Sequence, residues 1–143
     1  VRSLLAVLLL ASLPAWGETW IVGTVASWHY SSDKEYEQQN WGAGIEQSLF
    51  GNVRAVGGMY RNSNRRDSLY VGLAWSPLHY GNLRLGTAAL LVSGYETAKD
   101  PELVKAIFPV ISWEGEKFGI NIPVIPSTSK NAGAIGLQIK VRF

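Results

Sequence analysis

Apolar and polar positions alternate through most of this chain, most regularly in its last nine residues. Ile135, Leu137, Ile139, Val141 and Phe143 share one side of an extended strand and Gly136, Gln138, Lys140 and Arg142 the other, because side chains of a strand alternate with period two. A closing segment with one apolar and one polar face, ending on phenylalanine, predicts the last strand of an outer-membrane β-barrel, with lipid against the first set and a polar interior against the second. Other segments that alternate or run apolar between turn signals lie at residues 20–30, 40–50, 53–62, 68–76, 82–92, 106–113 and 118–125, and the last covers 132–143. The predicted fold class is therefore all-β, an eight-stranded antiparallel transmembrane barrel of the outer membrane, the smallest usual size.

The connections alternate in length. Residues 31–39, 63–67, 93–105 and 126–131 are long or medium, whereas 51–52, 77–81 and 114–117 are short. Short turns at one end and longer loops at the other predict that the first, third, fifth and seventh connections face outward from the cell and that both termini are periplasmic. Parity then assigns faces. Trp20, Val22, Thr24, Ala26 and Trp28 form one set, with the two tryptophans spaced as aromatic belts, which sends His29 inside. In the fourth segment Leu69, Val71, Leu73 and Trp75 face lipid, leaving Tyr70, Gly72, Ala74 and Ser76 inside. Such an interior is narrow and partly apolar, with room for side chains or one slender ligand, so conduction is not expected.

Composition adds limits. A 143-residue chain with a formal charge of +2 gives no reason to expect a nucleic-acid partner. There is no cysteine, hence no disulfide framework or thiolate chemistry. Arg2, the apolar run from Leu4 to Leu13, and Ala15-Trp16-Gly17 have the order of a secretory signal peptide. Residues 1–17 are expected to be removed, leaving 18–143 as the barrel. No segment reaches the roughly 20 apolar residues of a spanning helix, so membrane insertion must use strands. His29 and His79 have no metal-ligand spacing, and neither a metal site nor a cofactor is expected.

Several short pieces, taken in order, resemble the lipid A palmitoyltransferase (PagP) family: Trp28-His29, Asp33-Lys34-Glu35, Trp41-Gly42-Ala43-Gly44, Asn62-Ser63, Ile125-Pro126-Ser127-Thr128 with Asn131, and the terminal Phe143. The resemblance covers most of the mature chain and implies a monomeric enzyme of the Gram-negative outer membrane. Such an enzyme moves an acyl chain from a phospholipid sn-1 position to lipid A of lipopolysaccharide. It implies His29 and Ser63 as members of a catalytic triad at the outer rim. The third member, an aspartate in the family, is Asn62 here. Asparagine can orient a histidine but cannot stabilise its imidazolium electrostatically. Asp67 or Asp33 could substitute for it.

The chain departs from the family in other places. The amphipathic helix that precedes the family's first strand is missing, and two early gate prolines are replaced by Thr24 and Asn40, while Pro109 and Pro126 remain. Because proline removes a ladder hydrogen bond, one lateral gap for lipid is expected. Ala74 stands where the family has the glycine floor of its acyl pocket, implying a shallower pocket lined also by Tyr70 and Gly72. Arg61, Arg65 and Arg66 suit lipid phosphates by bidentate hydrogen bonding, or are solvated loop charge balanced by Asp67. His29 is either a general base or an interior histidine, and Ser63 either catalytic or an ordinary loop serine. Two other functions fit the residues. One is a non-catalytic small barrel that modifies the cell surface. The other is lipid A deacylation, because His29-Tyr30-Ser31 resembles the His-x-Ser motif of the 3-O-deacylase family, with His29 and Ser31 on one face of a strand.

Overall fold

The computed structural model describes residues 17–29, 41–61, 67–93, 104–126 and 133–142. These form β1 (Thr19–His29), β2 (Gly42–Phe50), β3 (Val53–Arg61), β4 (Asp67–Tyr80), β5 (Leu83–Val92), β6 (Val104–Glu114), β7 (Phe118–Ile125) and β8 (Ala134–Arg142). Each strand pairs with the next in antiparallel sense, and β8 pairs with β1 to close the barrel. Closure removes both sheet edges, the condition for burying backbone in lipid. Among the described residues no helix is long and apolar enough to cross a membrane. The predicted fold class is the observed one.

Tight turns join β2 to β3 and β4 to β5 at residues 51–52 and 81–82. Gly51 and Gly81 open them with φ of 51° and 61°, a left-handed conformation that costs glycine little. The second turn lies later than the predicted 77–81. β4 continues through Pro77 to Tyr80 because an extra residue is absorbed between Trp75 and Leu78, where the register against β5 shifts. A bulge tolerates a proline that a regular ladder would not. These turns and residues 115–117 lie at one end, called here the turn end. The connections at the opposite loop end, with residues 1–16 and 143, lie outside the described residues.

Outward faces are apolar. Leu69, Val71, Leu73 and Trp75 on β4 and Ile135, Leu137, Ile139 and Val141 on β8 are exposed, as alternation predicts, while Lys140 is only 1% exposed. The first strand breaks the prediction. Trp20 is completely buried and points inward, whereas Trp28 is 55% exposed. The register against β8 slips between Thr24 and Ala26, so Val25 is an extra residue and parity inverts across it. Trp20 is thus an interior residue and not part of a lipid-facing belt.

Candidate functional site

The interior divides into two layers of different chemistry. At the turn end, inward-facing carboxylates from β2 and β6 meet cations from β3, β5 and β8. Lys140 Nζ lies 3.0 Å from Glu46 Oε2 and also donates to Glu114. Arg54 donates to Glu114, with Nη2 2.9 Å from Oε1, and reaches Glu18 Oε2 at 3.0 Å. Arg84 Nη1 lies 2.8 Å from Glu114 Oε1, and Arg142 Nη1 lies 2.7 Å from Glu18 Oε1. Trp20 sits among these cations, with Lys140 Nζ 4.8 Å, Arg142 Cζ 5.3 Å and Arg54 Cζ 5.9 Å from its ring. That arrangement places positive charge against the negative ring face.

A neutral polar rank adjoins the charges. Ser112 Oγ donates to Asn121 Oδ1 at 2.8 Å, and Asn121 Nδ2 donates to Glu46 Oε1 at 3.2 Å and to Gln138 Oε1 at 3.1 Å. Gln138 in turn donates to Thr24 Oγ1 at 3.2 Å. Charges buried in a low-dielectric interior are tolerated when paired and hydrogen-bonded. Here the pairing fills the barrel with side chains, as expected of an interior too narrow to conduct. The network was readable in part, since parity sends Lys140 and Arg142 inward. Its membership was not, because Glu46, Arg54, Arg84 and Glu114 lie on four different strands and meet only on closure.

Toward the loop end the lining becomes small and apolar. Ala88, Val92, Phe108 and Ala134 are buried and face inward. The rings of Tyr60 and Tyr70 tilt together with centroids 6.0 Å apart. Tyr70 has space because its neighbours are glycines. A Cβ on Gly44 would fall 2.3 Å from the Tyr70 hydroxyl, and one on Gly58 2.7 Å from it. Gly72 and Ala74 also face inward. A Cβ on Gly72 would meet the Ala89 carbonyl at 2.0 Å. Ala74 is the ladder neighbour of Arg54 and Ala88, so it marks the boundary between the layers.

One wall of the loop half is not stitched together. The β6–β7 ladder runs from Glu114↔Gly119 to Val110↔Pro123 and stops. Continued register would pair Pro109 with Val124 and Phe108 with Ile125. Among the described residues those pairs are not made. Pro109 and Phe108 pair only with Thr87 and Ala88 of β5, and Val124 and Ile125 only with Ile135 and Ala134 of β8. The cause lies in the backbone of β6. Glu114 N donates to Asn82 O beside β5, and Gly115 N to Phe118 O on the β7 side. Counting back in twos along an unbroken register directs the backbone groups of Pro109 toward β7, and proline has no N–H to give.

The predicted rim residues are placed unevenly. His29 ends β1, its backbone opposite Ala134 of β8. Arg61 ends β3 opposite Asp67, exposed, with its N–H donated to Trp41 O at 2.8 Å. Both strand ends therefore belong to the loop end. Asn62, Ser63, Arg65 and Arg66 lie outside the described residues, as do Ser31 and Asp33. His79 is not on a turn but near the end of β4, with Nε2 3.1 Å from Arg84 Nη2 and 2.9 Å from Ser76 O.

A closed sheet of this size with an apolar exterior can be compared with solved barrels. The fold is that of an outer-membrane protein. The outer membrane protein Ail of Yersinia pestis, solved in a phospholipid bilayer nanodisc, superposes with a TM-score of 0.53 over 90% of this chain and 100% of that one. Their sequences are 12% identical, so the likeness concerns the fold alone. No protein-family model and no curated protein matches the chain.

Proposed function

We propose that this protein works in the outer membrane of a Gram-negative bacterium as a monomeric lipid acyltransferase, taking an acyl chain from a phospholipid and placing it on lipid A. The observation that carries the reading is the largely apolar loop half of the interior, beside which the β6–β7 ladder stops at Pro109. In this reading a hydrocarbon chain enters from the bilayer at that break and lies in the apolar layer. The charged layer beneath it stops the chain, because displacing Arg54 or Lys140 from its carboxylates would leave buried charge unpaired. Ala74, beside Arg54 in the ladder, then lies at the floor of the chain's path, with Tyr70 and Gly72 above it.

In this reading the ester of the donor lies at the loop rim, where β1 delivers His29. His29 takes the proton of a lipid A hydroxyl as that oxygen attacks the ester carbonyl. The tetrahedral oxyanion is met by the hydroxyl of Ser63, and the collapse returns the proton to the departing lysophospholipid alkoxide. Arg61, Arg65 and Arg66 hold phosphates of the acceptor. Asn62 limits the rate, since it orients the imidazole without compensating its charge.

Mass spectrometry of lipid A from cells with and without the chain tests the proposal. A gain of one acyl chain, lost with His29→Ala, is the expected result. Unchanged lipid A, together with surface phenotypes that survive His29→Ala and Ser63→Ala combined, would establish instead the non-catalytic barrel, which the asparagine at position 62 favours. Loss of an acyl chain would point to deacylation through His29 and Ser31.

A further inference from the structure

The space inside the loop half ends on hydroxyls. Tyr70 of β4 reaches inward across Gly58 of β3, and its hydroxyl comes to rest over Gly44 of β2. Glycine inside a strand weakens it, and here two of them clear the way for one side chain. Among the described residues the Tyr70 hydroxyl makes no hydrogen bond. Diagonal to Gly44 across the β1–β2 ladder is Thr24, whose hydroxyl accepts from Gln138 Nε2 at 3.2 Å and has no acceptor of its own among the described residues. Tyr70, Thr24 and Gln138 face inward and are only half-buried, whereas Glu46, Asn121 and Lys140 next to them on the turn side are buried. The open part of the interior therefore reaches down to these hydroxyls and stops there. Its opposite wall is apolar, with Leu90 of β5 paired to Ala106 of β6, both half-buried. A plain hydrocarbon filling that space would strip water from two hydroxyls and give them nothing in return, which is destabilising.

We infer that the interior binds an acyl chain oxygenated near its far end, a hydroxyl on the chain accepting hydrogen bonds from Tyr70 and Thr24 while its methylenes lie against Leu90 and Ala106. The depth agrees with a chain of medium length. From His29 to Val22, the ladder partner of Gly44, β1 advances with the six steps of β8 from Ala134 to Lys140. That is about 20 Å along the strand, and about 15 Å along the axis of a barrel whose strands tilt by ~40°. The assignment names the substrate class of the acyl-transfer reading and rests on that reading for its purpose. Tyr70 is then a specificity-determining residue, and its part in binding is measurable without any transfer.

Solution NMR of the full barrel in lipid nanodiscs, titrated with dodecanoate or ω-hydroxydodecanoate and read at the Gly44 and Gly58 amides, tests the site. In a wholly apolar space the added hydroxyl would weaken binding, because it leaves water for hydrocarbon. The expected result is that the wild-type barrel holds the hydroxy acid at least as tightly as dodecanoate. Tyr70→Phe should weaken the hydroxy acid by about fivefold to tenfold, the worth of one hydrogen bond, and leave dodecanoate unchanged, which also shows that the variant folds. Tighter binding of dodecanoate than of the hydroxy acid by the wild type, or equal losses of both acids in Tyr70→Phe, would overturn the inference. So would failure of the hydroxy acid to bind, or its binding with the Gly44 and Gly58 amides unmoved. Hydroxy acid held through Tyr70 with lipid A unchanged in cells would leave the site standing and remove the enzymatic reading. Transfer of plain acyl chains to lipid A with no preference for the hydroxy acid would keep that reading and remove this one.

Discussion

The two halves of the barrel interior solve the same packing problem in opposite ways. At the turn end Glu46 and Glu114 are surrounded by Arg54, Arg84 and Lys140, and every strand contact there depends on a partner from another strand. At the loop end the rings of Tyr60 and Tyr70 tilt together beside Gly44 and Gly58, and the β6–β7 ladder stops at Pro109. The difference teaches where freedom is available. A charged layer cannot give way to a ligand without leaving a charge unpaired, whereas an apolar layer can exchange side-chain contacts for hydrocarbon at little cost.

The largest effect should come from Glu114→Leu, which removes the carboxylate shared by Arg54, Arg84 and Lys140. A loss of about 3–5 kcal/mol is expected for breaking such a buried network, read as a fall in the urea midpoint of the barrel in lipid vesicles. An unchanged midpoint would mean the charged layer does not hold the turn half. Gly44→Ala should come next. Its methyl would crowd the Tyr70 hydroxyl and the Gly57 carbonyl, costing about 1–3 kcal/mol by overpacking. Tyr70→Phe in the same chain should recover only part of that, because the Gly57 contact is to backbone.

Pro109→Val should act with the opposite sign. It supplies an N–H facing β7 and should stabilise the barrel by about 0.5–1.5 kcal/mol, the net worth of one hydrogen bond, while slowing acyl transfer by narrowing the seam. Amide hydrogen exchange on β7 would show whether the ladder has closed; protection unchanged at Val124 would refute the account of the seam. The smallest change in stability should belong to Asn62→Asp, on a connection between β3 and β4. Its expected consequence is catalytic, a rise in lipid A acylation on the order of tenfold or more, since a carboxylate stabilises the imidazolium that an amide cannot. No gain in the lipid A mass spectrum would argue that His29 does not act as a base.

Much of the fold was legible because alternation is a local signal. β8 carries it throughout and β4 from Leu69 to Trp75, and Gly51 and Gly81 mark turns by composition. Trp20 was misread because parity was carried across Val25, and a bulge leaves no compositional trace in an apolar run. The turn at residues 81–82 was set too early because Pro77 resembles a strand end, although β4 accommodates it by a register shift. The charged layer was illegible as a unit, since it joins residues as far apart in sequence as Glu46 and Lys140. The candidate site was legible only in its residue types. Alternation puts His29 and Arg61 at strand ends of one rim, but the seam depends on which neighbour Pro109 faces, and that follows from the register.

The extra residue at Val25 works as a frameshift in the strand's two-letter code of inside and outside. Upstream of it the chain writes Trp20 into the charged interior, and downstream it writes Trp28 onto the lipid-facing surface. Substitutions at residue 25 leave both messages intact, and deleting it would only smooth the bulge, because Thr24 and Ala26 already face consecutive residues of β8, Gln138 and Leu137. A residue added to the regular run on either side, with the bulge kept, would instead turn one end of β1 over and present an interior residue to hydrocarbon. The length of this strand, more than the identity of any one of its side chains, ties the charged turn half to the rim where His29 stands.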